Sequence, residues 1–506
     1  MLLDWSSAAK VFEFLQDHSL STALLVGVIV FMVLRSWWDI KGYSSKLPPG
    51  PRGLPFVGYL PFLGKLQHVT FWKLSKIYGP VVRVRVGAQN MITLNDFDSI
   101  KEALTKSELL NRPPTVLDHI GMSGIVTLNG EAWLDNRRYC LHVLRDLGFG
   151  KKSMEHHMKE EIQYLIEKLS ASTGSPVLIS QYLVPSMSNN ITALVFGSRY
   201  PYGDRRRQFL DDSLRKVAKF VSTSSVLNFL PPMLNKLVLL PFTRWAPLIK
   251  AVTDMKDFVR REVEAHRETL DNYSNRDFID GYLKKMHENE GDPASNFTMS
   301  RLVGNVINFF GAGSNTVQLS IQWHLLNCAH RFYEVQAKIQ KEIEEVIGNE
   351  RAPTWEDRNH MHFTMAAIWE MYRYRTIAPM GFPRCVSKDT FVHDYFLPAG
   401  AVVMPNLWAV HMNKEVWVNP EDFIPERFLR NNCTELADRP EQLISFSLGK
   451  RMCPGETLAT MEIFLYLTSI LQKFTVLPEQ GKTIDMTEQS HTVTAPLPQN
   501  LRFVAR

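Results

Sequence analysis

The first hydrophobic feature of the chain is an uncharged stretch from Leu20 to Leu34, followed closely by Trp37 and Trp38. Counted through the tryptophans it covers about 19 residues, or roughly 28 Å as a helix, enough to cross a thin bilayer. Residues 1–18 carry three acids and one lysine (net −2), whereas residues 35–52 carry four bases and one aspartate (net +3). This asymmetry predicts a retained single-pass anchor over residues 1–38, with the remainder in the cytosol. A cleaved signal peptide is the competing interpretation, but it requires a basic start and small residues at a cleavage site.

The anchor is followed by a proline-rich hinge over residues 39–55. Its sequence from Pro48 to Pro55 contains four prolines and two glycines. Proline fixes φ and disfavours helix before it, so we expect a stiff, extended spacer between the anchor and the globular part.

Residues 56–506 contain no second linker or repeat and are expected to form one domain. Residues 82–86 alternate as in a strand, and residues 91–94 return after a turn. Apolar positions at Phe332, Val335, Ile339, Ile343 and Val346 follow the spacing of an amphipathic helix that Gly348 caps. Short runs with strand character recur at 390–395, 402–404 and 501–504, and long helical segments cover 299–328 and 456–471. The sequence therefore predicts a mainly α fold with small β-sheets (α+β), without the alternation of a doubly wound fold.

A second apolar segment lies between Val226 and Trp245, interrupted by Pro231 and Pro232. It is too broken to span a membrane. A buried helix pair and an amphipathic surface that dips into the bilayer are both compatible with it.

Composition excludes several classes of protein. The chain has 506 residues, 45% hydrophobic and 22% charged, so it is not disordered. A net charge of +5 (57 − 52) is too small for this length to indicate a nucleic-acid partner. The 5 cysteines show no C-x-x-C spacing, which argues against zinc ribbons and disulfide frameworks and favours a reducing compartment.

One cysteine stands in a distinctive setting. Cys453 lies in the pattern F-x-x-G-x-R-x-C-x-G, formed by Phe446, Gly449, Arg451, Cys453 and Gly455, just before a predicted helix. Free backbone N–H groups at a helix start favour a thiolate, and the glycines let the backbone approach a flat group closely. An adjacent arginine suits a carboxylate on the same group.

This segment resembles the haem-binding signature of the cytochrome P-450 monooxygenases, whose iron is held by a cysteine thiolate. The resemblance covers essentially the whole chain and is greatest to the microsomal branch that metabolises drugs and steroids in animals. It implies the α-rich P-450 fold, haem b (iron protoporphyrin IX) as cofactor, and Cys453 as the metal ligand. Phe446 and Gly455 would be parts of the haem-binding segment.

Two further groups of residues take roles from the resemblance. Glu370 and Arg373 match the E-x-x-R element, and Arg427 matches the arginine that joins this pair; the three imply a structural network that holds the loop carrying the cysteine. Four others imply contacts to the haem propionates, made by charge-assisted hydrogen bonds: Trp133, Arg137, Arg384 and Arg451.

The predicted helix 299–328 contains the segment Ala312-Gly313-Ser314-Asn315-Thr316. It resembles the A-G-x-[DE]-T groove of the family, in which Ala312, Gly313 and the residues after them admit dioxygen and Thr316 relays protons. Asn315 replaces the usual acid, and an amide cannot ionise. Two interpretations stay open: Asn315 orients water and solvent supplies the proton, or turnover is slower, leakier or specialised.

By the same resemblance, an apolar pocket for a lipophilic substrate would be lined by segments from along the chain: Leu117–Val126, Phe220, Phe229, Phe309, Ala312, Gly313, Thr316, Ile377–Gly381 and Val493–Leu497. A basic proximal face would dock a flavoprotein, NADPH–cytochrome reductase, and leaves cytochrome b5 open as a second donor. It comprises Arg138, Arg145, Lys151 and Lys152.

The implied activity is insertion of one oxygen atom of O2 into a lipophilic small molecule (a xenobiotic, steroid or lipid-like compound) at the endoplasmic reticulum membrane, with electrons from NADPH. A reductase-independent haem-thiolate isomerase or dehydratase is one alternative, which Asn315 keeps open and Thr316 disfavours. A non-catalytic haem-binding protein is another, against which the relay threonine and the basic face argue.

Overall fold

The computed structural model describes residues 46–54, 57–87, 89–115, 121–147, 152–224, 242–243, 245–271, 273–490 and 493–506, together with the single positions 27, 30, 118 and 240. The predicted anchor, most of the hinge, most of the apolar segment 226–245, and Lys151 lie outside the described residues.

Helices make up most of the described chain. In chain order they are α1 Gln67–Tyr78, α2 Phe97–Thr105, α3 Gly130–Asp146, α4 Lys152–Ala171, α5 Ser180–Phe196, α6 Arg205–Ser224, α7 Ala246–Glu268, α8 Phe278–Glu288, α9 Met299–His330, α10 Ala337–Val346, α11 His362–Tyr374, α12 Leu407–His411 and α13 Glu456–Lys473.

The strands form small sheets. They are β1 Val81–Val86, β2 Gln89–Leu94, β3 Arg384–Cys385, β4 Thr390–Val392, β5 Tyr395–Leu397, β6 Val402–Pro405, β7 Leu429–Arg430, β8 Glu435–Leu436, β9 Phe474–Pro478, β10 Glu488–Ser490, β11 Thr494–Pro496 and β12 Leu501–Ala505.

One four-stranded sheet has the order β1-β2-β6-β3. Its first hairpin is antiparallel from Val81 opposite Leu94 to Val86 opposite Gln89, and β2 pairs parallel with β6. The other strands pair two by two, β4 with β5, β7 with β8, β9 with β12 and β10 with β11. The fold is thus mostly helical with small sheets, as predicted.

The main core surrounds α9 and α13. Buried apolar residues of α5, α9, α11 and α13 form one continuous cluster, and nearly every residue of α13 from Met461 to Gln472 is buried. Such burial on all sides is typical of an interior helix. Because α13 begins directly after the loop that carries Cys453, the loop is attached to the most enclosed part of the molecule.

Helix α9 begins at Thr298, whose hydroxyl accepts a hydrogen bond from the Arg301 amide. It is buried along most of its length, except for an opening at residues 308–316 where Ala312 is exposed. We call residues 308–316 the α9 opening.

The helix predicted from Phe332 onward differs in its first turn. Residues Phe332–Gln336 form a π-turn before α10 begins. The wider turn places Gln336 in the core, where its amide nitrogen donates to the carbonyls of Cys328 and Val476 and its amide oxygen accepts from the Val476 amide. The hydrogen bonds that the Gln336 side chain makes inside the core thus accompany the local departure from α-helical geometry.

The predicted membrane anchor lies outside the described residues, apart from the single positions 27 and 30. Among the helices that the structure describes, none combines the length and the hydropathy needed to cross a bilayer.

Candidate active site

The turn that carries Cys453 is built by backbone contacts. A 3-10 turn at Gly449–Arg451 precedes the cysteine, and the Cys453 amide donates to the carbonyl of Phe446 at 2.8 Å. Gly449 has φ +73°, and a Cβ there would lie 2.3 Å from the carbonyl oxygen of Leu104 in α2. Glycine is therefore required at this position both for its conformation and for close packing.

The Cys453 thiol lies in a cleft. The residue is solvent-accessible, yet desolvation by the surrounding protein is the largest effect on its pKa and raises it. The Gly455 amide donates to Sγ at 3.4 Å and, with Arg137, acts in the opposite direction. The N–H group at the helix start therefore lowers the pKa of the thiol, and desolvation opposes this effect.

Arg451 occupies a buried position above α3. Its guanidinium donates to the carbonyls of Leu110 (2.9 Å) and Leu128 (2.6 Å). It also stacks on the Trp133 indole, 3.7 Å from the ring centre. Burial, followed by repulsion from Arg384 and Arg137, lowers the pKa of Arg451 to about 9. Its charge is therefore poorly compensated by the protein itself.

Arg384 is the least satisfied of the basic residues in this region. It is 2% exposed, and its Nε and Nη1 have no hydrogen-bond partner among the described residues. Burial, with a contribution from Arg137, lowers its pKa to about 10. Buried guanidinium nitrogens without partners are rare and indicate a missing anion or water. The Trp133 indole nitrogen is likewise buried without a partner in the described part of the chain.

A fourth guanidinium, that of Arg112, belongs to the same group. It donates to the carbonyls of Val126 (3.1 Å) and Pro383 (2.8 Å). Burial and then repulsion from Arg384, Arg451 and Arg137 hold its pKa well below its ordinary value. We call Arg112, Arg137, Arg384 and Arg451 the arginine cluster.

Arg137 connects the cluster to the cysteine turn. Its Nη2 donates to the Met452 carbonyl at 2.6 Å. Burial lowers the pKa of Arg137, while the neighbouring Cys453 raises it. The arginine is thus close enough to the thiol to stabilise a negative charge on sulfur.

Glu370, Arg373 and Arg427 form a buried ion-pair network. Arg373 binds Glu370 through two hydrogen bonds of 2.8 and 2.7 Å, and both side chains are fully buried. Arg427 Nε lies 3.1 Å from Oε2 of the same carboxylate, the oxygen that also accepts from Arg373 Nε. Arg373 also donates to the carbonyls of Pro420 and Asp422. The carboxylate accepts from the amide of Ile424. The network therefore fixes the segment 418–424.

The α9 opening separates its predicted residues onto different sides. The Thr316 hydroxyl donates to the Ala312 carbonyl at 2.7 Å, one turn earlier on the same helix face. Asn315 instead lines a cavity of about 50 Å³ with Arg215 and Gln318. At Gly313 a Cβ would lie 2.5 Å from Cδ1 of Ile191 in α5, so this glycine allows close helix packing.

The predicted pocket segments converge in part. The amides of Ile125 and Val126 donate to the side chains of Asn305 and Asn308 in α9. The Thr494 amide donates to the Ile377 carbonyl at 2.8 Å. The predicted segments 377–381 and 493–497 are thus joined to each other, whereas the segment that ends at Val126 is joined to α9.

Phe309 is not brought into the pocket by these contacts. Phe309 packs edge-on against Phe278 of α8, with 5.1 Å between ring centres. Phe229, Leu117 and the side chain of Phe220 are outside the described residues.

Comparison with known proteins decides the family. A sequence model of cytochrome P450 matches residues 48–503. The chain belongs to the cytochrome P450 family. Cytochrome P450 2F3 of Capra hircus is 35% identical over 502 residues, which cover 96% of this chain and 100% of that protein. Cytochrome P450 2A6 of Homo sapiens is 35% identical over 501 residues, 96% and 98% of the two chains. Cytochrome P450 2H1 of Gallus gallus is 34% identical over 496 residues, 96% and 99%.

The protein is thus a cytochrome P450 monooxygenase of the haem-thiolate type. A haem carries two propionates, and the arginine cluster offers donors for both, including two buried nitrogens of Arg384 that have no other partner among the described residues. The free Cys453 thiol supplies the kind of iron ligand that the family uses. The residues of this P450 therefore fit the cofactor that its family implies.

Sequence reasoning missed Arg112. It stands before Pro113 and Pro114, so its backbone is predictably extended, but no motif marks the side chain. Its partners, Val126, Phe382 and Pro383, are 14, 270 and 271 residues away. Only the tertiary fold brings them together.

Proposed function

We propose that this cytochrome P450 binds haem b through Cys453 and inserts one oxygen atom of O2 into a lipophilic small molecule. The second oxygen atom leaves as water, so each turnover consumes two electrons and two protons. The electrons come from NADPH through a separate reductase. The observation that carries the proposal is the arginine cluster beside the Cys453 thiol. None of the four guanidiniums forms an ion pair with a carboxylate among the described residues, which suits an anionic partner, and the thiol is the kind of ligand that binds haem iron in this family.

Each residue of the site then has a physical task. The bound haem supplies reductive activation of dioxygen. Arg384, Arg451, Arg112 and Arg137 bind the propionates, and Trp133 supports Arg451 by stacking. Phe446 and Gly455 shape the cysteine turn through their backbone bonds to the Cys453 amide and sulfur.

Proton delivery is assigned to the open face of α9. The Thr316 hydroxyl now donates to Ala312, and rotation about its side-chain bond lets it donate toward the cleft while it accepts from water. Asn315 lines a separate cavity and cannot ionise, so it supplies no proton itself: either it orients water through which solvent protons arrive, or turnover is slower and less coupled than with an acid.

The membrane and the redox partner complete the proposal. Residues 1–38 anchor the protein in the endoplasmic reticulum membrane, residues 39–55 act as the hinge, and residues 56–506 form the cytosolic catalytic domain. Arg138 and Arg145 are exposed and lie seven positions apart, on one face of α3. Together with Lys151 and Lys152 they form the docking surface for the reductase, and for cytochrome b5 where it takes part.

The first test is the optical spectrum of the purified protein, reduced with dithionite and exposed to carbon monoxide. A strongly red-shifted Soret band that is lost in Cys453→Ala but kept in Cys433→Ala is expected. Cys433 is a suitable control because it is also exposed but lies in the turn between β7 and β8. A red-shifted band in the Cys453→Ala protein would contradict the ligand assignment.

The second test separates the monooxygenase from the isomerase alternative, which Asn315 keeps open. Apolar substrates are incubated with O2, reductase and NADPH, and parallel samples omit the reductase. Product that requires O2 and NADPH supports the proposal. Rearrangement of a peroxide substrate without reductase would support the alternative instead.

A further inference from the structure

The Glu370–Arg373–Arg427 network does not itself touch the cysteine turn. Its contacts among the described residues reach the carbonyls of Pro420 and Asp422 and the amide of Ile424. The segment that leads to Cys453, residues 444–453, must therefore be positioned through another group.

The contacts of His411 identify it as the group that positions this segment. It is the last residue of α12 and is fully buried. Its carbonyl accepts from Arg373 Nη1 at 2.9 Å, so its backbone belongs to the network. Its imidazole Nε2 lies 3.1 Å from the amide nitrogen of Ile444, and its Nδ1 lies 2.6 Å from the hydroxyl of Thr376.

The tautomer follows from the partners. A backbone N–H can only donate, so Nε2 accepts from Ile444, which shares this hydrogen with the carbonyl of Gln442. Nδ1 then carries the proton and donates to Thr376, whose hydroxyl donates to the carbonyl of Tyr372 or Arg373. Burial lowers the pKa of His411 to about 3, and the charge of Arg373 acts in the same direction, so the ring is neutral.

The residues after Ile444 carry the connection forward. The Ser445 hydroxyl donates to the Tyr372 carbonyl at 2.9 Å, and the Phe446 ring packs edge-on against Tyr372, 5.1 Å between centres. The Phe446 carbonyl accepts from the Cys453 amide. His411 is thus hydrogen-bonded to Ile444, two residues before Phe446, whose carbonyl holds the Cys453 backbone.

We propose that His411 is a positioning residue that transmits the Glu370–Arg373–Arg427 network to the cysteine turn. It holds Ile444 through its Nε2 and, through its Nδ1, Thr376, whose hydroxyl donates to the last turn of α11. This proposal rests on the function proposed above, in which Cys453 binds haem iron. It predicts that loss of the imidazole loosens the sulfur position while the ion pairs remain.

The test compares His411→Leu with His411→Gln and His411→Asn. Leu removes both hydrogen bonds, Gln keeps an acceptor near the Nε2 position, and Asn keeps a donor near the Nδ1 position. In the reduced, CO-bound protein, we expect the red-shifted Soret form to convert to the unshifted form about tenfold faster in His411→Leu, as expected for loss of a buried hydrogen bond. Gln should restore the wild-type rate more fully than Asn.

The matched control is His324→Leu. His324 is also a buried, neutral histidine, but its Nε2 has no partner among the described residues. A conversion rate within twofold of wild type is expected. If His324→Leu accelerates the conversion as much as His411→Leu does, or if His411→Leu behaves as wild type, the positioning role is refuted.

A second readout does not depend on the spectrum. Hydrogen exchange measured by mass spectrometry on the holoprotein should show faster exchange in the peptide 442–447 of His411→Leu than of wild type, with Gln again restoring protection. Unchanged exchange would overturn the proposal. If the wild-type protein itself shows no red-shifted band, the proposed function fails first, and the inference that rests on it falls with it.

Discussion

Arg384 offers a sharp test of the arginine cluster, because its removal should affect the apoprotein and the haem complex in opposite directions. The substitution Arg384→Met removes the charge while keeping a long side chain. Without haem, Arg384 is 2% exposed, and two of its guanidinium nitrogens have no hydrogen-bond partner in the part of the chain that the structure describes. In the haem complex the same nitrogens are expected to donate to a propionate.

The magnitude follows from the pKa of Arg384. Burial lowers it from the ordinary arginine value to about 10. At about 1.36 kcal/mol for each pH unit, the charged form disfavours folding of the apoprotein by on the order of 3 kcal/mol. This penalty is fully present below pH 10 and disappears as the pH rises from about 10 through the ordinary arginine pKa. Against it, loss of charge-assisted hydrogen bonds to haem should cost roughly 1.5–3 kcal/mol.

We therefore expect apo Arg384→Met to be more stable than the wild-type apoprotein in urea at pH 7, and its haem to be lost at least tenfold faster to an excess of apomyoglobin. Arg145→Met serves as the control, since Arg145 is exposed on α3. Arg384→Lys keeps the charge, so its apoprotein should not gain stability. An apo Arg384→Met protein that is less stable, or one that retains haem as wild type does, would refute the reasoning.

Three further outcomes are expected. Glu370→Gln leaves two buried guanidiniums without their carboxylate, so the holoprotein should lose about 3–5 kcal/mol in urea unfolding, and a loss below about 1 kcal/mol would contradict the network. Asn315→Asp should raise the product formed per NADPH consumed, whereas an unchanged ratio would show that solvent alone delivers the proton. Burial raises the pKa of Glu462 to about 8 from 4.5, so its contribution to stability is lost as the pH rises from 4.5 to 8. Glu462→Gln should therefore be more stable than wild type at pH 8, with the difference vanishing near pH 4.5.

The sequence predicted those parts of the site in which two residues of the same helix are in contact because of their spacing along the chain. Glu370 and Arg373 lie three residues apart on α11, where adjacent turns bring them together. The helices α9 and α13 likewise extend over the predicted segments, because long apolar stretches specify an interior helix.

The parts that were missed depend on contacts between distant segments. Arg112 meets Pro383 across 271 residues, and His411 meets Ile444 across 33. No local pattern distinguishes the buried histidines His411 and His324, although only the Nε2 of His411 has a hydrogen-bond partner among the described residues. The desolvation that raises the pKa of the Cys453 thiol likewise depends on the surrounding protein, whereas the helix start that lowers this pKa can be read from the sequence.

The α9 opening shows why a motif can join residues that the fold separates. Consecutive residues of a helix point about 100° apart, so Thr316 and Asn315 face different spaces. Thr316 bonds along the open face with Ala312, whereas Asn315 lines the cavity shared with Arg215 and Gln318. The cavity of about 50 Å³ is large enough for a water molecule, and its wall combines polar side chains, among them Asn315 and Gln318, with the apolar side chains of Val184 and Leu214. An acid at position 315 would face this cavity and not the Thr316 hydroxyl, so any proton that it supplies has to pass through water. The effect of Asn315→Asp on the product formed per NADPH consumed therefore measures whether such a water-mediated route operates.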